Sequence, residues 1–472
     1  MNGMTEALAR FATGTNWQDL PPAIVQETKR VLMDSIGCAL GASTTDKGRM
    51  NVALARRLGG APDASIIGLG GKVCCTNAAF ANGELILTLD FSNIMGGGHD
   101  GAYVIPTVLA MAENAGASGR DLILATALGL EISARLARAV GQHNFTVEAV
   151  QRRRAQGQGL AGNAYANFGA AAGAARLMKL DADRTAHALG IAGHLCMVLS
   201  YGRWSSSLRG HMTKYGVPGW QSTGAVTAAL LAEMGYAGDT GVLDDPERGF
   251  AYYVGYPSWH PEEITAGLGK DWCFNIKLHY KPYPCCGVFH GPLDCFYEII
   301  EKHNLGPDDI ESVTAYCRGH MDSPLFAKKT VDGISDAQFN PGYVFGVAAH
   351  RIPSGVEWYD PDTMDNPSIR KFGDKVTCRN HPGYGKELEK DPLSALSKVE
   401  VVAKGATYTH EVKYRRGSVG TDAALSEREI VDKFRHNAAR ILTGDKTERA
   451  LDALLELQEL EHVSALMREV TL

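Results

Sequence analysis

Residues 89–114 read LDFSNIMGGGHDGAYVIPTVLAMAEN, and this stretch combines ionisable groups with a segment built for close packing. Asp90 and His99 flank a run of three glycines, and small apolar residues follow. Glycine permits backbone angles closed to other residues, so the loop can turn tightly and deliver Asp90 and His99 to one cavity. The stretch therefore predicts an acid/base site anchored on a buried helix.

Helical periodicity extends on both sides of this stretch. Residues 20–42 carry apolar side chains at nearly helical spacing, with prolines suited to the first turn. Further segments with the same pattern, and with Ala and Gly on their packing faces, are residues 102–115, 122–140, 167–179, 183–199 and 219–234. Small residues let helices approach closely, so the first half is predicted to be a tightly packed, all-helical domain.

The composition changes within residues 255–269, where Pro, Trp and Gly cluster and end the helical pattern. Downstream, residues 288–303 predict a helix and residues 311–317 a strand. Residues 398–416 alternate around Gly405 and predict a hairpin. This second region is therefore predicted to be α+β.

Two further segments follow from the same reasoning. Residues 354–385 are rich in Pro, Asp and Gly and predict an irregular excursion of the second region. Beyond Arg416 the helical period returns, with Ser426 as a candidate N-cap. This tail is a candidate to rejoin the first domain.

The overall composition excludes several classes of protein. The chain has 472 residues, of which 45% are hydrophobic and 21% charged, as expected for a globular protein of at least two domains. A net charge of -6 with dispersed Lys and Arg argues against nucleic-acid partners. The sequence contains neither an apolar run long enough for a membrane helix nor the pattern of a signal peptide. We therefore expect no membrane partner and a cytoplasmic location. Ten cysteines without C-x-x-C spacing predict a reduced compartment and no metal site.

The first candidates for chemistry are His99 and Asp90. Imidazole titrates near neutral pH and can take and return a proton, while Asp90 could orient the ring or act as a base itself. The structural alternatives are a loop histidine bonded to backbone and a helix-terminal cap. Taken alone, His99 is better explained as a loop histidine that is hydrogen-bonded to backbone.

Two further stretches carry basic residues before helices. In SLRGHMTKYG, residues 207–216, Lys214 could bind a carboxylate or, if desolvated, exchange a proton; the alternative is a solvated surface lysine. In KPYPCCGVFHGPLD, residues 281–294, Lys281 precedes a helix start whose N–H groups suit an anion. The alternative there is a buried cysteine pair with a structural histidine. The arginines at 152–154 fit a solvated surface better than a binding site.

Taken together, these stretches resemble the MmgE/PrpD family over nearly the whole chain. The matching motifs are H-x-G-A-x-V-I-P at residues 99–106, M-T-K at 212–214 with Gly219 five residues later, K-x-Y-P-x-C at 281–286 with His290, and A-x-F-x-x-x-Y at 337–343. In this order and spacing they form a strong signal.

The resemblance implies a mainly α fold with an α+β second domain. A large helical domain would be built from both chain ends, residues 1–268 and 417–472, and a smaller lid domain, residues 269–416, would be inserted between them. A homodimer, a cleft between the domains, and no metal or organic cofactor are also implied.

The family moves a proton at a carbon next to a carboxylate in small di- and tricarboxylates, and then loses water, loses carbon dioxide or reprotonates. The resemblance implies that Lys214 and Lys281 hold substrate carboxylates, that His99, with Asp90, acts as base or acid, and that Tyr343 positions the substrate or relays a proton. The residues expected to contact substrate are Asn93, His211, Tyr283, Cys286 and His290.

This chain departs from the family pattern at two places. Most relatives carry Asp-Phe-Asp-Asp where this chain has Asp90 followed by Phe91, Ser92 and Asn93. A second family histidine aligns with Leu160, and His211 is a candidate replacement. A dehydratase needs an acid for the departing hydroxide, so these losses weaken that assignment.

The leading prediction is a cofactor-independent lyase of a small di- or tricarboxylate, most simply a hydro-lyase similar to 2-methylcitrate dehydratase. A decarboxylase or an epimerase on the same scaffold is the first alternative. A carboxylate-binding protein that kept the cleft but lost turnover is the second.

Overall fold

A computed structural model describes residues 3–96, 98–141, 162–197, 211–256, 258–319 and 321–472. The fold is mainly α with small sheets, as the sequence predicts. The helices of the first part are α1 (Met4–Gly14), α2 (Pro22–Ala42), α3 (Asp46–Leu58), α4 (Cys75–Thr88), α5 (Gly101–Asn114), α6 (Gly119–Ala139), α7 (Ala166–Leu177), α8 (Ala182–His194), α9 (Pro218–Glu233), α10 (Phe250–Val254) and α11 (Glu262–Thr265). None of the helices in the described ranges combines the length and apolarity needed to cross a membrane.

The predicted helices of the first part are confirmed with small shifts of their ends. α2 begins at the second of two prolines, Pro22, where a missing N–H costs nothing. α6 begins with a capping box in which the Ser118 and Asp121 side chains each accept from the other's backbone N–H. α8 ends at His194, and residues 198–199 of its predicted range lie outside the described residues.

Glycines set the spacing of these helices. α6 crosses α7 at Gly129 and Gly169, and a Cβ added to Gly169 would lie 2.1 Å from the Gly129 carbonyl oxygen. α9 approaches α4 in the same way, because a Cβ on Gly219 would lie 2.2 Å from the Phe80 carbonyl oxygen. The small residues noted in the sequence therefore bring helix backbones into direct contact.

The second part combines helices with a four-stranded sheet. Its helices are α12 (His290–Lys302), α13 (Pro324–Ala327), α14 (Ile334–Ala337), α15 (Pro341–Ala349), α16 (Pro361–Met364), α17 (Pro367–Phe372) and α18 (Tyr384–Lys390). The strands of the whole chain are β1 (Ala64–Ser65), β2 (Lys72–Val73), β3 (Ile94–Met95), β4 (Leu278–His279), β5 (Ile310–Cys317), β6 (Val376–Asn380), β7 (Ser397–Ala403) and β8 (Ala406–Val412).

The large sheet has the strand order β6-β5-β7-β8, with β6 parallel to β5 and the other pairs antiparallel. β7 and β8 form the predicted hairpin, and Gly405 in its turn has a φ of 72°. β7 buries alternate residues, Val399, Val401 and Ala403, and α12 packs against this hairpin. The α+β prediction for this part of the chain is confirmed.

The prediction of an irregular segment over residues 354–385 is wrong in part. The segment contains short helices α16 and α17 and the edge strand β6. β6 carries Val376, Cys378 and Arg379 on a largely exposed edge, so it lacks the apolar run that marks a buried strand.

The tail folds into α19 (Glu427–Ala438), α20 (Gly444–Leu455) and α21 (Ser464–Glu469). Ser426 caps α19 in a capping box with Glu429, as its position predicts. α19 packs against α2, near the other end of the chain. The division at residues 268 and 416 into a helical and a lid domain stays a prediction.

A two-stranded pairing joins the two parts near the candidate residues. β3 pairs with β4, with Ile94 opposite His279 and Met95 opposite Leu278. The loop after α4 and the segment that contains Lys281 are therefore held side by side.

Candidate active site

Asp90 lies at the centre of a buried group of ionisable side chains, here called the Asp90 cluster: Asp90, His99, Lys214 and Lys281. Asp90 follows the end of α4 and is 0% exposed. Its φ of 51° lies in the left-handed region, which costs a non-glycine residue about 1–2 kcal/mol. Such a conformation persists where the surroundings hold it, so the partners of Asp90 fix its position.

Lys281 binds Asp90 at two points. Its Nζ donates to Asp90 Oδ1 at 2.5 Å and to the Asp90 carbonyl oxygen at 2.9 Å. A third hydrogen bond reaches the Cys285 carbonyl oxygen at 3.2 Å, so all three ammonium donors are used. The β3–β4 pairing holds the backbone on both sides of this contact.

Lys214 reaches the cluster from the loop that precedes α9. Its Nζ lies 3.9 Å from Asp90 Oδ2 and donates to Gln338 Oε1. Gln338 Nε2 in turn donates to the Thr88 carbonyl oxygen at 2.8 Å, which orients the amide. The Lys214 side chain is 2% exposed, so the alternative of a solvated surface lysine is wrong.

His99 completes the cluster. Its Nε2 lies 3.6 Å from Asp90 Oδ1, and its ring centroid lies 4.8 Å from that of Tyr215. Within the described part of the chain, His99 Nδ1 is buried and has no hydrogen-bond partner. A role of this nitrogen in binding substrate stays a prediction.

Burial and neighbouring charges shift the pKa values of Asp90, His99 and Lys214 strongly. Burial would raise the pKa of Asp90, but Lys214, Lys281 and His99 together hold it well below its usual range. Burial, reinforced by Lys281, lowers the pKa of His99 to about 3. Burial also lowers the pKa of Lys214 to about 7, against the opposing effect of Asp90. Asp90 is thus ionised, His99 neutral, and Lys214 able to exchange its proton near neutral pH.

Three predicted site residues direct their polar atoms to other protein groups. The Tyr343 hydroxyl donates to the Trp358 carbonyl oxygen, and the Tyr283 hydroxyl donates to Asp294 Oδ1 at 2.9 Å. His290 Nε2 contacts the Cys285 carbonyl oxygen at 3.2 Å. The Tyr283 and His290 bonds lie within the segment that follows Lys281. A direct role of any of the three residues in substrate binding stays a prediction.

The remaining predicted residues differ in their surroundings. The Cys286 backbone N–H donates to the Gln338 carbonyl oxygen at 3.0 Å, which places Cys286 beside the amide that holds Lys214. Asn93 is buried and donates to Asp34 Oδ2 through its backbone at 2.8 Å and its side chain at 3.0 Å. His211 is exposed. Contact of these residues with substrate stays a prediction.

Sequence reasoning missed residues that support the cluster. Lys433 on α19 donates to Asp34 Oδ1 at 2.7 Å, to the Phe91 carbonyl oxygen at 2.7 Å and to the Lys281 carbonyl oxygen at 2.9 Å. Gln338 lies inside the A-x-F-x-x-x-Y motif, and Asp34 interrupts a buried stretch of α2, so both left a signal in the sequence. Lys433 lies on a strongly polar helix and left none.

Some features named in the sequence lie outside the described residues: Gly97, the arginines at 152–154 and Leu160, where a family histidine aligns. In the ranges that the structure describes, no group of three or more His, Cys, Asp or Glu side chains is arranged to hold a metal ion.

Known proteins of similar sequence are named as decarboxylases. The cis-aconitate decarboxylase of Aspergillus terreus is 24% identical over 501 residues, which cover 99% of this chain and 95% of that protein. The cis-aconitate decarboxylase of Homo sapiens is 23% identical over 492 residues, covering 99% of this chain and 94% of that protein. The Mus musculus enzyme of the same name is 22% identical over 491 residues, covering 99% and 93%.

Family models match both parts of the chain. The MmgE/PrpD N-terminal domain matches residues 6–262, and the MmgE/PrpD C-terminal domain matches residues 283–458. The first of these includes Asp90, His99 and Lys214, and the region between the two matches contains Lys281. From the match of both models, in order and over most of its length, the chain belongs to the MmgE/PrpD family.

Proposed function

We propose that this protein is a lyase that decarboxylates a small, unsaturated di- or tricarboxylate. The observation that carries the proposal is Lys214, a buried lysine 3.9 Å from the Asp90 carboxylate with a pKa lowered by burial to about 7. Such a lysine is protonated in part at neutral pH and gives up its proton readily. The relatives named as cis-aconitate decarboxylases support the same substrate class.

Decarboxylation requires one proton donor and positively charged groups around the substrate. The bond between carbon and one substrate carboxylate breaks, carbon dioxide leaves, and the electron pair stays on the unsaturated carbon skeleton. Lys281 and Lys214 would stabilise the negative charge that develops next to a remaining carboxylate. Lys214 would then donate its proton to carbon, which forms the new C–H bond.

Protonation states favour decarboxylation over the elimination of water. Elimination requires a base to remove a proton and an acid to protonate the departing hydroxide. Asp90 and His99 are weak bases, because their pKa values are lowered, His99 to about 3. Decarboxylation requires only the donor, and Lys214 has a suitable pKa.

The hydro-lyase reaction that the sequence favours is the second candidate. Asp90 Oδ2 and Lys214 Nζ lie 3.9 Å apart, so a carboxylate base and an ammonium acid could act on neighbouring substrate atoms. A hydroxylated acid such as 2-methylcitrate would be the substrate. Epimerisation would need two groups that exchange protons on opposite faces of one carbon.

NMR distinguishes these reactions when purified protein is incubated in heavy water with cis-aconitate, citrate or 2-methylcitrate. Decarboxylation predicts carbon dioxide and one solvent deuteron on the product carbon. Elimination predicts an unsaturated product that retains every carboxylate, and epimerisation predicts deuterium in recovered substrate. If no acid in the panel reacts while carboxylates still stabilise the protein, it is a binding protein and the lyase proposal is wrong.

We also propose a homodimer, on the basis of the family resemblance. Light scattering coupled to size-exclusion chromatography tests it, and the mass of a single chain would contradict it.

A further inference from the structure

The first turn of α9 receives a hydrogen-bond acceptor from another helix. The first four N–H groups of a helix have no partner within it, and a polar side chain just before the helix usually binds one of them. Val217 occupies that position here and has no polar side chain, and Pro218 has no N–H. Glu84 of α4 supplies the acceptor instead, because its Oε1 accepts from the Gly219 N–H at 3.1 Å. The helix dipole also favours a carboxylate at this end of α9.

The second oxygen of Glu84 binds a cation. Glu84 Oε2 lies 3.0 Å from Lys47 Nζ on α3, and the two side chains are 2% and 13% exposed. Solvent therefore screens this ion pair only weakly. A buried carboxylate loses its hydration, and here the ion pair and the backbone hydrogen bond offset that loss. Both oxygens of Glu84 thus have a specific partner.

The start of α9 is packed too closely to shift freely. A Cβ added to Gly83 would lie 3.1 Å from Gly219 Cα and 3.1 Å from Ser222 Oγ. Ser222 Oγ donates to the Tyr103 carbonyl oxygen of α5 at 3.2 Å. The first turns of α9 are therefore held between α4 and α5, the two helices that flank residues 89–100.

Helix α4 also acts on Lys214 at a second point. Thr88 lies one turn after Glu84, and its hydroxyl donates to the Glu84 carbonyl oxygen at 2.7 Å. The Thr88 carbonyl oxygen accepts from the Gln338 amide that binds Lys214, and Asp90 follows two residues later in the chain. The segment from Lys214 to the start of α9 is therefore tied to α4 at both ends, through Gln338 and through Glu84.

The segment between these two ties is short and tightly turned. Lys214 lies four residues before the first residue of α9. Tyr215 and Gly216 have φ values of 57° and 85°, and the Gly216 N–H donates to the Thr213 carbonyl oxygen at 2.9 Å. A displacement of α9 would therefore reach Lys214 and also Tyr215, whose ring packs against His99.

Lys47 acts on Lys214 through its charge. Burial is the largest cause that lowers the pKa of Lys214 to about 7, and the positive charges of Lys281 and Lys47 add to it. Asp90 and the Cys286 thiol oppose them. The ion pair on α4 thus holds in place a cation that favours release of the Lys214 proton.

We propose that Glu84 is a positioning residue of the active site and acts through Lys214. By binding the first turn of α9, it fixes the segment that carries Lys214. By binding Lys47, it holds a positive charge near that lysine. Neither Glu84 nor Lys47 touches the substrate in this role. The inference rests on the proposed function, in which Lys214 donates the proton.

A double-mutant cycle tests whether Glu84 acts through Lys214. Glu84→Met keeps the volume but removes the acceptor. We expect kcat on the acid that reacts in the heavy-water experiment to fall about 10–100-fold, because a displacement of about 1 Å can cost 10²-fold. In a Lys214→Met background the same change should cost no more than about twofold. Additive losses would overturn the proposal, because Glu84 would then act independently of Lys214.

Two further variants separate the hydrogen bond from a general loss of stability. Glu84→Gln keeps an oxygen acceptor for the Gly219 N–H, so it should recover most of the kcat lost in Glu84→Met. Glu233→Met changes the exposed last residue of α9 and should leave kcat unchanged. Equal losses in Glu84→Gln and Glu84→Met would overturn the proposal. Circular dichroism establishes that each variant is folded.

NMR titration of protein labelled with ¹³C-lysine tests the role of Lys47 without any substrate. The Lys214 signal is assigned by its absence from Lys214→Met. Lys47→Met removes a like charge, so the pKa of Lys214 is expected to rise above its value of about 7. Lys302→Met, at an exposed position, should leave that pKa unchanged.

An unchanged pKa of Lys214 in a folded Lys47→Met variant would overturn the proposal, and it remains measurable if Glu84→Met does not fold. Because the titration needs no reaction, its outcome is independent of the proposed function. A protein that shows the rise but converts none of the acids would contradict the decarboxylase proposal alone.

Discussion

Asp90 and the basic side chains around it shift one another's pKa values. The carboxylate raises the pKa of Lys214, while burial lowers it, and the balance leaves a lysine that exchanges its proton near pH 7. Lys281 differs because it contacts Asp90 directly at 2.5 Å, with its other donors used on carbonyl oxygens. We therefore propose that Lys281 holds charge and that Lys214 moves a proton.

Replacing Lys214 tests this division. Lys214→Met keeps the volume but removes the proton, so we expect kcat to fall about 10²–10⁴-fold. Steady-state kinetics on the acid that reacts in the heavy-water experiment measures the loss. Lys302→Met, at an exposed position of α12, is the matched control and should leave kcat unchanged. A Lys214→Met variant that is folded and as active as the wild type would contradict the proton-donor role.

The direction of the pH dependence follows from the same pKa. A donor must carry its proton, and Lys214 does so below its pKa of about 7. We therefore expect kcat/KM for decarboxylation to be high below that pH and to fall as the pH rises through it. Asp90 and His99 do not titrate in that range, because the pKa of Asp90 lies well below its usual value and that of His99 at about 3. A rate that rises with pH across neutrality would make Lys214 a base and favour elimination.

Residue types and motif spacing predicted the four members of the Asp90 cluster, and the structure brings them together. The burial of Lys214 could not be read from its polar neighbours, because Gln338, more than a hundred residues away, supplies its acceptor. The contacts of Lys433 with Asp34 and Lys281 could not be predicted for the same reason, because they depend on how distant segments pack.

At the scale of elements, the site depends on how the tail helix α19 packs on α2. Lys433, with a side chain that is 9% exposed, pairs with buried Asp34 and donates to the Lys281 carbonyl oxygen. The same Asp34 accepts from Asn93, in the loop that follows Asp90. One buried ion pair therefore links both chain ends to the segments that carry the Asp90 cluster.

Lys433→Met is expected to lower the free energy of unfolding by about 3–5 kcal/mol, because it leaves the Asp34 carboxylate buried without its cation. Urea unfolding measures the change. The double variant Asp34→Asn/Lys433→Met removes both charges and should recover part of the loss. A single variant within about 0.5 kcal/mol of the wild type would show that the pair does not stabilise the fold.

Helix spacing offers a second test at this scale. Gly169→Ala would place its Cβ 2.1 Å from the Gly129 carbonyl oxygen, so α6 and α7 would have to separate. We expect a loss of about 1–3 kcal/mol or more in the free energy of unfolding. Gly444→Ala is the control, because a Cβ there meets nothing within 4 Å. Equal stability of the two variants would contradict the close-packing argument.

The helices of the first part could be predicted because Ala and Gly recur with helical period, and Gly129 and Gly169 show why those residues are small. The strand β6 could not be predicted, because an exposed edge strand such as Val376–Asn380 has no buried face that would leave an apolar pattern in the sequence. The β3–β4 pair could not be predicted either, since strands of two residues leave almost no pattern in the sequence. Long-range pairing, rather than local preference, decides these elements.

At the scale of the whole molecule, the Asp90 cluster is assembled from segments that lie far apart in the sequence. Asp90 and His99 come from one loop, Lys214 from the loop before α9, and Lys281 from the segment after β4. None of these segments can form the site alone. Binding of a substrate-like anion should therefore stabilise all of them together.

Hydrogen exchange with a saturated tricarboxylate, which has neither a hydroxyl to eliminate nor a double bond, tests this cooperation. At about 100 times its Kd the ligand would stabilise the native state by about 2.7 kcal/mol. Slower exchange is expected in residues 89–101, 211–217 and 281–290 at once, because each contributes a charge to one site. Lys281→Met, with its direct contact to Asp90 removed, should lose the protection in all three segments. Protection confined to one segment would mean that the ligand binds elsewhere, and that the Asp90 cluster does not act as a single site.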